Sequence, residues 1–136
     1  MLLASVELHD EAVVTSGNYE RFVDNGGRRY HHLLDPRTGV PASQCVSVTV
    51  VAAKGALADA LATGLFVRGA AGIDSVASLT GVTAMIVNGD RDQTAHFSTG
   101  AAARFKTVAG KRQTTPLPLG RQDLGQSRNM LSDRFQ

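Results

Sequence analysis

Val46-Ser47-Val48-Thr49-Val50-Val51-Ala52-Ala53 is a long, mainly β-branched run, and after Lys54 and Gly55 comes Ala56-Leu57-Ala58-Asp59-Ala60-Leu61-Ala62-Thr63-Gly64-Leu65-Phe66-Val67. The first stretch suits a buried strand, because branched side chains pack well on a pleated surface. In the second the period changes. Leu57, Leu61 and Leu65 recur every four residues with Ala58 and Ala62 beside them, which predicts an apolar helix that stops near Gly69. Working outward, residues 7–15 and 29–34 are short β-prone runs bounded by turn residues, and residues 73–79 read as a second short helix before Gly81. Residues 84–87 and 93–98 flank Asn88-Gly89-Asp90-Arg91, a hairpin turn signal. The order is strand, strand, strand, helix, helix, strand, strand. It predicts an α+β fold: a single mixed domain of mostly antiparallel sheet with one or two packed helices, not a doubly wound parallel sheet.

At 136 residues the chain fits one domain, and it shows no internal repeat. A net charge of +2 hides an asymmetry: residues 1–100 hold seven Lys or Arg against ten Asp or Glu, and residues 101–136 hold seven against two. With Thr114-Thr115-Pro116-Leu117-Pro118 and scattered Gly, Ser and Gln, this predicts a folded part over residues 1–105 and a basic, disordered tail over 106–136. No aromatic stacking platform accompanies the tail, so nucleic-acid binding is not expected. The single cysteine, Cys45, excludes an internal disulfide. No Cys/His spacing resembles a zinc site, which leaves Cys45 a packing role. No apolar run reaches membrane length, and Met1-Leu2-Leu3-Ala4-Ser5-Val6 is too short and lacks the basic flank of a secretory signal.

Three stretches carry chemistry. Residues i and i+4 share a helix face, so Asp59 and Thr63 can present two oxygens to one point. Mg²⁺ suits such a pair, since it takes one or two protein oxygens and leaves its other positions to water and substrate phosphates. The structural alternative is that Asp59 caps the helix while Thr63 bonds back to a carbonyl one turn earlier. His31-His32 supplies an imidazole able to take a proton near neutral pH, and in an extended segment only one of the two can face a site. Asp35-Pro36-Arg37-Thr38-Gly39 reads as a turn between strands: Asp favours its first position, Pro presets the next φ, and Gly permits a positive φ. Asp35, Pro36 and Gly39 are expected to hold its shape, with Arg37 and Thr38 open to loop hydrogen bonding or nucleotide contact. Thr15-Ser16-Gly17 reads as a small hydroxyl-bearing turn able to approach a phosphate.

The order of four signatures is more specific than any one of them. Thr15-Ser16-Gly17-Asn18-Tyr19, Tyr30-His31-His32-Leu33-Leu34-Asp35-Pro36-Arg37-Thr38-Gly39-Val40-Pro41, Ser47-Val48-Thr49-Val50-Val51-Ala52 and Ala58-Asp59-Ala60-Leu61-Ala62-Thr63-Gly64-Leu65-Phe66-Val67 resemble the C-terminal part of ApbE-type proteins, the FAD:protein FMN transferases once called thiamine biosynthesis lipoproteins. The resemblance covers roughly residues 10–100. It implies Mg²⁺-dependent cleavage of FAD, transfer of FMN to a Thr or Ser hydroxyl of a target protein, and release of AMP. Position by position it implies Asp59 and Thr63 as Mg²⁺ ligands, Leu34 as an FAD contact through its main chain, and His32 as the catalytic histidine near the acceptor hydroxyl. Ala62 stands where some members carry a second Asp. Family resemblance also implies a membrane redox-complex subunit as acceptor and a periplasmic or inner-membrane-associated setting. Family members are longer, so a partial member is expected. The alternative is a non-catalytic remnant that binds flavin nucleotide or a partner protein.

Overall fold

The computed structural model describes residues 3–19, 21–89, 93–107 and 113–114. The chain runs through β1 (Ala4–Ser5), β2 (Ala12–Gly17), β3 (Phe22–Asn25), β4 (Arg28–His31), β5 (Ser47–Ala52), α1 (Gly55–Arg68), β6 (Thr83–Val87), β7 (Ala95–Phe97), β8 (Lys106–Thr107) and β9 (Gln113–Thr114). One sheet has the order β2-β5-β6-β7-β9, antiparallel throughout except for the parallel β7/β9 pair. Two-stranded pairings join β1 to β8 and β3 to β4. This is the α+β, mostly antiparallel architecture expected from the order of elements.

β5 is largely buried on both of its faces because both are covered. Val48, Val50 and Ala52 join Ala58, Ala62, Leu65 and Phe66 of α1 in one cluster, and Val51 joins Met85, Val87, Phe97 and Phe105 in a second on the opposite face. Small side chains at Ala58 and Ala62 let α1 lie close across β2 and β5. The helix ends where expected. Gly69 has φ +66°, its N–H donates to Leu65 O at 2.8 Å, and a Cβ there would come within 2.5 Å of Gln44 Cβ.

Three details depart from the sequence reading. The segment expected to form a second helix over 73–79 is a 3₁₀ stretch, Ala70–Val76, with turns after it. It buries Ile73 and Val76, three residues apart, which matches the 3₁₀ period, in the short span between Gly69 and Gly81. The run over 7–15 becomes a strand only from Ala12, while Glu7 and Glu11 ahead of it pair with Lys106 and Arg104. The β3–β4 hairpin was not anticipated, because its first strand is exposed throughout and lacks alternation. Its signal was Asn25-Gly26-Gly27: Gly26 and Gly27 have φ of +60° and +77°, as a two-residue primed turn requires. The expected hairpin at 88–91 joins β6 to β7, with Asn88 N–H donating to Thr94 O at 2.9 Å. Its residues 90–91 lie outside the described residues. Of the expected tail, Lys106–Thr107 pairs with β1 and Gln113–Thr114 with β7. Residues 108–112 and 115–136 lie outside the description.

Candidate active site

From His31 to Leu34 the side chains alternate in and out. His31 and Leu33 are buried, and His32 and Leu34 are exposed. His31 Nε2–H donates to Ala42 O at 2.8 Å, Leu33 N–H donates to its Nδ1 at 3.3 Å, and the ring meets Phe66 edge-on at 5.6 Å. Both ring nitrogens are thus used inside the protein. His32 faces outward, and its Nδ1–H donates to Arg21 O at 3.3 Å. That bond selects the tautomer whose Nε2 lone pair faces solvent, the arrangement a general base needs.

The next residues turn as expected. Leu34 and Pro41 form a bridge, and Asp35 O accepts from Thr38 N–H at 3.2 Å and Gly39 N–H at 2.8 Å, with Gly39 at φ +70°. Arg37 and Thr38 both bond within the loop. Asp35 accepts the Arg37 backbone N–H (2.9 Å), Nε–H (3.0 Å) and Nη2–H (2.7 Å), and Thr38 Oγ1 accepts Val40 N–H at 3.4 Å. The Arg37 guanidinium holds the Asp35 carboxyl down, from an ordinary 3.8 to about 2.

Asp59 and Thr63 occupy the exposed side of α1. The helix starts after Lys54, so Asp59 is its fifth residue and no cap. Thr63 Oγ1 lies 3.3 Å from Ser16 Oγ rather than turning back along the helix. Ser16 belongs to β2, so Thr15-Ser16-Gly17 is strand and not the expected turn. The exposed Tyr19 ring lies over Gly17, where a Cβ would come within 2.5 Å of it. The position before Thr63, Ala62, is fully buried against the sheet.

A groove of about 740 Å³ runs between the 34–39 turn and α1, and its walls include Leu34, Pro36, Arg37, Thr63, Val67 and Arg68. The fold therefore brings Leu34 and Thr63 to one cavity from opposite sides. Asp59 lies one turn before Thr63 and His32 two residues before Leu34, and neither lines the groove. Among the described residues, no three His, Cys, Asp or Glu side chains cluster as a metal cage. Asp59, Thr63 and Ser16 are hard oxygen donors, which fits Mg²⁺ sharing its shell with substrate phosphates and not a closed protein site. Sequence reasoning missed the Ser16 contact and Arg68. Helical spacing held the second signal, since Gly64 and Arg68 are four apart on the flank beside Thr63.

A family model described as the ApbE family matches residues 1–86, well over half of the chain. The chain belongs to the ApbE family. It is 43% identical over 100 residues to an FAD:protein FMN transferase of Rhodobacter capsulatus, covering 74% of this chain and 19% of that protein. A second, from Escherichia coli, is 33% identical over 105 residues, covering 76% and 29%. Among solved structures, the ApbE protein of Thermotoga maritima matches with a TM-score of 0.55 and 41% identity over 60% of this chain and 28% of that one. The apo flavinyl transferase ApbE of Pseudomonas stutzeri matches with a TM-score of 0.50 and 33% identity, over 76% and 30%. The chain thus spans about a fifth to three tenths of the length of these ApbE relatives. All four signatures fall within residues 1–86, the part the ApbE model matches.

Proposed function

We propose that this chain supplies the metal-binding and acceptor-side residues for Mg²⁺-dependent transfer of FMN from FAD to a Thr or Ser hydroxyl of a target protein. The observation that carries the proposal is the groove that Leu34 and Thr63 share, with Asp59 one helical turn before Thr63 and His32 two residues before Leu34, both exposed. Asp59 and Thr63, with Ser16 beside them, are the oxygens that would hold the ion. Bound there, Mg²⁺ neutralises pyrophosphate charge in a phosphoryl-type transfer.

The chain's own part in the reaction follows from its side chains. Leu34 offers FAD an apolar surface and a main chain at the mouth of the turn. His32 Nε2 takes the proton of the acceptor hydroxyl, whose oxygen bonds to the phosphorus of the FMN half. The P–O bond to the AMP half breaks, AMP leaves with that electron pair, and the imidazolium returns its proton to solvent. We also infer, from family resemblance, a membrane redox-complex subunit as acceptor, met in the periplasm or at the inner membrane. No helix among the described residues is long and apolar enough to cross a membrane.

The test is in-gel flavin fluorescence of a Thr-bearing acceptor mixed with FAD, with Mg²⁺ or with chelator. Label that needs Mg²⁺ and is lost in Asp59→Ala and Thr63→Val is the expected result. Label equal in chelator would overturn the metal assignment. A pyrophosphate needs holding from several sides for in-line transfer, and this groove is open to solvent. Weak transfer by the 136-residue chain is therefore expected, rising when a polypeptide carrying the rest of a relative is added.

A further inference from the structure

Two cations and two glycines around the groove have no part in the chemistry above. Arg37 spends one edge of its guanidinium, Nε and Nη2, on Asp35, which fixes the plane of the fork and leaves Nη1 without a bond among the described residues. Arg68, at the last turn of α1, stands on the other wall and makes no hydrogen bond or ion pair among the described residues. It is nonetheless positioned. A Cβ at Gly72 would lie 2.7 Å from Arg68 Cβ and 3.2 Å from its Nε, so the stem of Arg68 lies directly over the glycine. Gly64, one turn before Arg68 on α1, forms part of the groove wall, and a Cβ there would meet nothing within 4 Å among the described residues. A mid-helix glycine costs about 1 kcal/mol relative to alanine, and no neighbouring group among the described residues requires this one.

We propose that Arg37 and Arg68 form a two-sided phosphate clamp that receives the diphosphate of a dinucleotide, with the bare backbone at Gly64 as its floor. The proposal rests on the transferase reading and names the side chains that orient its substrate. Arginine suits the task because its planar fork matches paired phosphate oxygens and stays charged at every working pH. Asp35 acts as a positioning residue for Arg37, and Gly72 does the same for Arg68. Leu34, Pro36 and Val67 supply an apolar wall of the kind that takes a ring beside charged groups.

The experiment is calorimetric titration of the 136-residue chain with ADP and with adenosine, both in chelator so that no metal contributes. ADP should bind about tenfold or more tightly than adenosine, the ratio expected from charge-assisted hydrogen bonds. Arg68→Ala should remove most of that difference and leave adenosine unchanged, and Arg68→Lys should restore part of it. Gly72→Ala keeps both charges and should weaken ADP alone by displacing Arg68. Gly64→Leu should weaken both ligands while raising the melting temperature, which separates a blocked groove from a damaged fold. Equal binding of ADP and adenosine, or unchanged ADP affinity in Arg68→Ala, would overturn the clamp. Covalent FMN transfer is scored separately. Loss of ADP selectivity in Arg68→Ala without transfer by any chain would keep the clamp and remove the transferase reading, and transfer insensitive to Arg37→Ala and Arg68→Ala would do the reverse.

Discussion

Strand end β4 and helix α1 each carry two rows of side chains, and the rows differ in what satisfies them. Inward are His31, Leu33, Ala58, Ala62 and Phe66, buried and packed together, with both nitrogens of His31 bonded. Outward are His32, Leu34, Asp59 and Thr63, all exposed, whose side-chain polar contacts among the described residues are single bonds at 3.3 Å for His32 and Thr63. Adjacent residues thus divide the work: one row holds the fold, and its exposed neighbour is the row we propose meets the ligand. A variant should therefore damage stability or chemistry according to its row.

The largest effect belongs to the inner row. Phe66→Ala empties a fully buried site beneath His31 and should cost about 3–5 kcal/mol in chemical denaturation, whereas Asp59→Ala should stay within about 0.5 kcal/mol. Comparable losses would erase the distinction between the rows. The adjacent imidazoles sharpen it. His31→Ala leaves Ala42 O and Leu33 N–H without their partner and should cost about 1–3 kcal/mol, with His32→Ala near neutral for stability. In transfer assays the ranking inverts. His32→Asn should abolish acceptor labelling while FAD still binds, and His31→Asn should matter far less.

Smaller effects test the turn that joins the rows. The Asp35 carboxyl is held below its ordinary value by Arg37, so its contribution to stability is complete above about pH 3.8 and disappears as pH falls through about 2. An NMR titration should place Asp35 near 2, and Arg37→Ala should move it back toward 3.8. A midpoint unchanged by that substitution would show that the ion pair does not hold the turn. Cys45 gives the least visible effect. Burial pushes its thiol up to about 12, and its S–H points at Phe66 O at 3.5 Å. A disulfide reagent at pH 8 should leave it untouched until the chain unfolds, and rapid labelling of the native protein would mean the inner row opens readily.

Much of this division was legible in the chain. Period alone separated β5 from α1, because both bury apolar faces and only their spacing differs. The 34–41 turn was legible because Asp, Pro and Gly each fix a backbone angle. The outward pairing of Asp59 with Thr63 followed from helix geometry, and the alternation of His31 and His32 from strand geometry. Contacts between remote segments were not legible. Nothing local to Ser16 says that its hydroxyl meets Thr63, 47 residues on, and nothing local to Arg68 says that it lines the same groove as Arg37. The β3–β4 hairpin escaped because an exposed ribbon carries no apolar alternation, leaving two glycines as its only sign.

The pair Asp59 and Thr63 is the center of the functional proposal, and a graft tests it most directly. Residues 1–86 of this chain would replace the matching segment of the Rhodobacter capsulatus relative, and covalent flavin on a Thr-bearing acceptor would be measured with and without Mg²⁺. The graft should label the acceptor only with Mg²⁺, and Asp59→Ala within it should abolish labelling while leaving its unfolding midpoint unchanged. Undiminished Mg²⁺-dependent labelling by the Asp59→Ala graft would contradict the assignment.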